Sequence, residues 1–209
     1  MEIIKPYQEI NDALLSLDNG GRFYNLLTKA DDGVISQAEL GKIGGIFNDR
    51  QKMILFLELS ISKLSLPEKQ IIISKLDPKL KDDYLKYQPK NLLPSEVNEE
   101  AVLATNIILT GVPKLVESKS DFLGFLMIPV IIGNITTFSM IPLIDVYDVY
   151  ELRNDHSSET FIIAHSKGSK LLPNKKIIVA GILKELKSDK EGKNASKKFL
   201  EAIYHLDID

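Results

Sequence analysis

Between Phe122 and Ile144 the chain reads FLGFLMIPVIIGNITTFSMIPLI, 23 residues without a charged side chain. A helix of that length is long enough to cross a bilayer. In a water-soluble fold, the same run must find cover or turn back on itself. Pro129 and Pro142 lack the N–H that a helix interior needs, and Val130, Ile131, Ile132, Ile135, Thr136 and Thr137 are β-branched. Gly133-Asn134 lies between two apolar runs, and glycine at the first central position supplies the positive φ of a two-residue hairpin turn. The run is therefore expected to form a buried β-hairpin rather than a transmembrane helix, and membrane insertion is not expected. A membrane-associated protein acting through 122–144 is kept as an alternative.

The remaining composition is that of a folded protein. With 44% hydrophobic and 26% charged residues among 209, the chain can bury one large core or two small ones. Its net charge of -3 gives no general attraction to phosphate backbones, so nucleic-acid binding would need a local basic patch. The absence of cysteine excludes disulfides, thiolate metal sites and thiol nucleophiles, and it fits a reducing compartment. MEIIKPYQEINDALLSLD has acidic residues early and lacks the apolar stretch of a secretory signal, so a cytoplasmic location is expected.

The first ninety residues carry helical periodicity. YQEINDALLSL, SQAELGKIGGIF, RQKMILFLELSISKL, SLPEKQIIISKL and PKLKDDYLKYQ each read as helix, and RFYNLLTKA flanks a loop. Asn48 or Asp49 is placed to cap the third of these. Ser65 and Glu68 have capping-box spacing, with Pro67 in the first turn. QPKNLLPS, residues 88–95, holds two prolines where the periodicity changes, and it is read as a linker between a helical domain (1–87) and a β domain (96–209). Beyond it, GFLMIPVII, ITTFSMIPLIDVYDVYEL, ETFIIAHS and KKIIVAGILKEL read as strands; IDVYDVYEL alternates as a strand with one solvated face would. ATNIILTGV fits a helix end or a first strand. ASKKFLEAIYHLD, carrying Phe199, Leu200, Ile203 and Leu206, reads as a closing helix.

The loop TKADDGVISQAEL, Thr28 to Leu40, carries the most specific local pattern. Counting back from Glu39 through a twelve-residue loop puts Gly33 at a sharp turn, Asp32 at the fifth position, Val34 as a carbonyl donor and Ser36 at the ninth. Thr28 and Ala30 stand where anionic ligands usually stand. The stretch resembles a degenerate EF-hand, and ISQAEL is similar to the first loop of penta-EF-hand proteins, which opens with a backbone carbonyl, here that of Lys29. The resemblance covers residues 23–47. It implies weak calcium binding through Asp32, Val34, Ser36 and Glu39, with Ile35 pairing to a partner loop. The same residues also suit a plain helix start, with Ser36 as N-cap and Glu39 completing a capping box.

No catalytic constellation is visible. His156, His165 and His205 are scattered, HSKGSK lacks P-loop spacing, and Asp145, Asp148 and Glu151 read as a solvated strand face. LLPNKKIIVAGILKEL resembles the turn and strand of an OB-type barrel, its glycine marking a bend; SH3-like barrels share the pattern. The expected fold is α+β: a helical N-terminal domain with an EF-hand-like helix-loop-helix, a small antiparallel OB- or SH3-like β-barrel, and a C-terminal helix. The expected function is non-catalytic: a binding or regulatory module whose β domain docks a protein partner. The alternative is an OB-type single-stranded nucleic-acid-binding protein, using Phe138, Tyr147, Tyr150 and Phe161 with Lys114, Lys119, Lys167 and Lys170.

Overall fold

The computed structural model describes residues 1–20, 31–46, 48–116, 124–132, 135–154, 159–188 and 197–208. The chain forms two compact units, one of residues 3–89 and one of residues 1–2 with 90–209.

The first unit holds α1 (Ile10–Leu17), α2 (Gln37–Gly44), α3 (Arg50–Ser60), α4 (Leu66–Lys75) and α5 (Pro78–Tyr87). Local capping sets the helix starts. The Ser36 hydroxyl accepts from the Glu39 N–H at 3.3 Å while Glu39 accepts from the Ser36 N–H at 2.7 Å. Ser65 and Glu68 close the second box, and Asp49 starts α3 by accepting from the Lys52 N–H. Asp77 serves two helices: it accepts from the Leu80 N–H of α5 at 2.7 Å and from the Gln37 N–H of α2 at 3.3 Å. α3 is the central helix, burying Met53, Ile54, Leu55, Phe56, Leu57 and Leu59 rather than a single stripe. α1 is narrower than its spacing suggests, with Leu17 buried and Leu15 exposed.

The second unit contains β1 (Glu2–Ile3), β2 (Lys90–Leu92), α6 (Val97–Glu100), β3 (Asn106–Leu115), β4 (Gly124–Ile132), β5 (Ile135–Pro142), α7 (Leu143–Val146), β6 (Tyr147–Arg153), β7 (Thr160–Ser166), β8 (Ile177–Ser188) and β9 (Lys197–Asp207). Five strands close a barrel in the order β3-β6-β7-β9-β8, with β8 returning to β3; β1 pairs outside β9. Its interior packs Ile107, Leu109, Tyr150, Leu152, Phe161, Ile163, Val179, Leu183 and Leu200. β8 turns at the expected glycine: its register against β9 shifts between Ala180 and Gly181.

Several expectations are corrected. The proposed linker 88–95 contains β2, which pairs parallel with β3, so the unit boundary falls between Pro89 and Lys90. The barrel is not wholly antiparallel, because β7 and β9 run parallel. The closing helix is a strand. β9 pairs with β8 from Leu186↔Lys197 to Ile177↔Asp207 and supplies buried residues to both of its faces, Leu200 inside the barrel and Phe199 outside. Pairing with β8 gives β9 backbone partners from end to end apart from one bulge, and this tertiary pairing outweighs a helix-compatible spacing. The long strand expected from Ile135 onward is broken at Pro142 and continues as α7 before β6. β6 is more covered than a strand with one solvated face, since Val149 is buried on the side opposite Tyr150 and Leu152, while Glu151 is half-buried and Arg153 exposed.

The hairpin in the charge-free run forms, with β4 and β5 in register from Phe125↔Pro142 to Ile132↔Ile135. Its expected burial does not hold. Met127, Ile131, Phe138 and Met140 are 44%, 73%, 59% and 48% exposed. Among the described residues, β4 pairs with the barrel at Gly124↔Ser188 and Phe125↔Lys187 alone, and the strand runs on for roughly 20 Å beyond that joint. Among the described residues, no helix is long and apolar enough to cross a membrane.

Candidate functional site

Of the proposed ligands in the helical unit, Glu39 is buried, and both of its oxygens are engaged. Oε1 accepts from the Gly20 N–H at 2.6 Å and Oε2 from the Ser36 N–H at 2.7 Å. Asp32 turns back on its own segment, accepting from the Val34 N–H at 2.9 Å, while the Val34 side chain is exposed. Ser36 is the N-cap of α2. Gly33 has φ +82°, the turn that the spacing required. The fold thus brings Ser36 and Glu39 together around the start of α2. The openings of both loop alignments, Thr28, Lys29 and Ala30, lie outside the described residues.

The residue that sequence reasoning missed is Asp18, at the end of α1. Its buried carboxylate accepts from the Asp32 N–H at 3.2 Å and the Gly33 N–H at 2.7 Å, and its carbonyl accepts from the Asp31 N–H at 3.2 Å. Successive amides around an αL residue, here Asp31 at φ 55°, form an anion-receiving concavity, and Asp18 fills it. Ile35 does find a partner. It bridges in parallel to Leu76, receiving from the Asp77 N–H and donating to the Lys75 carbonyl. That partner is the short turn joining α4 and α5, which has no room for a ligand loop. A calcium site needs six to eight oxygens free to face the ion. The Glu39 oxygens already face N–H donors, so this arrangement does not fit one. Among the described residues, no cluster of three or more His, Asp or Glu could hold a metal.

In the second unit, the barrel wall has two layers. Along β6, β7 and β9, Tyr150, Ile163 and Leu200 point inward, while their neighbours Val149, Ala164 and Phe199 belong to a second cluster with Leu143, Ile144 and Leu186. Leu126, Tyr147 and Ile162 pack against that cluster. The segment between β3 and β6 therefore does two things: α7 and the root of β4 cover the outer face of β6 and β7 around Val149 and Ala164, while Met127, Ile131, Phe138 and Met140 of the hairpin stand exposed. On one face of the hairpin, the register sets Met127 beside Met140 and Pro129 beside Phe138, with Ile131 beyond. This is a charge-free apolar stripe.

The other singled-out groups are structural. Tyr150 lies inside the barrel and accepts from the Leu172 N–H at 3.1 Å; the His165 ring stacks on it at 5.5 Å. Burial pushes the pKa of His165 and of His205 down, which keeps both imidazoles neutral, and it pushes the Tyr150 phenol up. Tyr147 donates to Glu201 at 2.7 Å and meets Phe199 edge-on, and Phe161 is buried. Of the four proposed stacking aromatics, Phe138 alone is exposed. His156 and Lys119 lie outside the described residues. A cavity of about 610 Å³ beside β3 and β6 is lined by Lys114, Glu151, Leu171, Leu172 and Asn174, with Lys114 opposite Glu151 in the strand register. Among its described lining residues there is no nucleophile–base pair.

No family model matches the chain, and no curated protein matches it significantly.

Proposed function

We propose that this protein is a non-catalytic binding module in which an OB-type barrel presents the β4–β5 hairpin to a partner. The observation that carries this reading is the exposed, uncharged stripe of Met127, Ile131, Phe138 and Met140. Contiguous apolar surface rich in Met and aromatic side chains marks interaction sites, because water covers it at a free-energy cost that a partner removes. The OB-type reading is supported by the strand order, with the third and fifth barrel strands parallel.

Barrels of that type take ligands on the outer face of their second and third strands and on the loop between the first and second. Here α7 and the root of β4 cover part of the face of β6 and β7, and the loop between the first and second strands is enlarged into the hairpin. The helical unit is read as a structural joint rather than a calcium sensor, because its carboxylates are taken up by backbone N–H groups.

The nucleic-acid alternative makes a separate demand. It needs exposed aromatics interleaved with cations, and Tyr147, Tyr150 and Phe161 are committed to packing. Retention on single-stranded DNA and RNA columns at low salt tests the choice. No retention is expected; binding that weakens steeply with added salt would overturn the proposal.

A further inference from the structure

β5 is the last strand of its sheet, and among the described residues it pairs with β4 alone. Natural edges of this kind are guarded by lysine, by an internal proline or by a cover. β5, ITTFSMIP, has no charge, and its one proline is its final residue. Its free edge is also oriented. Pro129 and Pro142 lie on opposite strands but in the same alternate set of cross-strand pairs, with Phe138 and Phe125. Proline has no N–H to exchange, so that set is the one without β4–β5 hydrogen bonds. The N–H and C=O groups of Thr136, Phe138 and Met140 consequently turn outward.

Resting on the docking role proposed above, we infer that the partner is β5 of a second copy, antiparallel about a two-fold axis at Phe138. In that register Phe138 meets Phe138, Thr136 meets Met140 and Thr137 meets Ser139. The pairs are aromatic on aromatic, methyl on thioether, and hydroxyl on hydroxyl, each a favourable cross-strand combination. The outward groups of residues 136, 138 and 140 then exchange about six hydrogen bonds. An unrelated apolar surface or a lipid would leave those backbone groups unsatisfied. A second strand satisfies them, and an isologous contact closes at two copies instead of propagating.

Light scattering after gel filtration tests this with wild type, Phe138→Asp, Phe138→Lys, an equimolar mixture of the two variants, and Leu85→Asp as a control at an exposed position of α5 in the helical unit. The wild type and the control are expected at twice the 23.4 kDa of one chain. Each Phe138 variant sets like charges directly opposite and is expected to raise the dissociation constant by more than about tenfold. The mixture restores the dimer, because Asp then faces Lys. A wild type of single-chain mass at the highest concentration reached overturns the inference, as does a dimer that persists in Phe138→Asp. A monomeric wild type that floats with phosphatidylcholine vesicles, or that crosslinks through the hairpin to a different protein, overturns the second copy but leaves the docking role standing.

Discussion

Gly181→Ala is expected to destabilise the barrel unit by about 3 kcal/mol or more, at the upper end of what overpacking costs. A Cβ at this position would stand 2.1 Å from the Glu201 carbonyl oxygen, 2.8 Å from its carbon and 3.0 Å from the Ala202 Cα. All three are backbone atoms of β9, which is held by β8 along one edge and β7 along the other. They cannot withdraw as the tip of a flexible side chain would. Glycine is therefore required here for close approach of two strands at the bend that closes the barrel. The measurement is urea denaturation followed by amide exchange in β8 and β9, which separates this unit from the helical one. A loss under about 1 kcal/mol would mean that the two strands do not come this close.

The second large effect belongs to Glu39. Replacing it with glutamine keeps the volume but turns one acceptor into an NH2 group facing an N–H donor. Both native contacts, to Gly20 and to Ser36, are charge-assisted and part-buried. Each bond of that class is worth about 1.5–3 kcal/mol, and a stranded buried N–H adds its own desolvation cost. The helical unit is expected to lose about 2–4 kcal/mol, read as an earlier loss of helical circular dichroism. Calcium should leave the wild-type transition unmoved, because a ligand raises stability only by binding the folded state. A wild-type melting temperature that climbs with calcium, and does so no longer in Glu39→Gln, would restore the metal reading of the loop.

What the sequence made legible was local. The Ser36–Glu39 and Ser65–Glu68 boxes are each complete within four residues, and both form. The bend at Gly181 and the β4–β5 register could likewise be read from a glycine, two prolines and a run of β-branched residues. What stayed hidden depends on partners far along the chain. Asp18 acquires its role only when amides 31–33 fold over it. Lys197–Asp207 has a spacing that suits either a helix or a strand, and β8 decides between them. The charge-free run announced that its side chains need cover, but not whose. The same chain covers Leu143 and Ile144 while leaving Phe138 bare.

Oxidative footprinting of methionine tests whether the fold leaves this hairpin uncovered for a partner. Met53 is 1% exposed inside α3, whereas Met127 is 44% exposed on β4. Sulfoxide formation follows exposure. In dilute purified protein, Met127 is predicted to oxidise far faster than Met53, and in intact cells it should become protected. Equal resistance of the two in the purified chain, or no protection of Met127 in cells, would contradict the account.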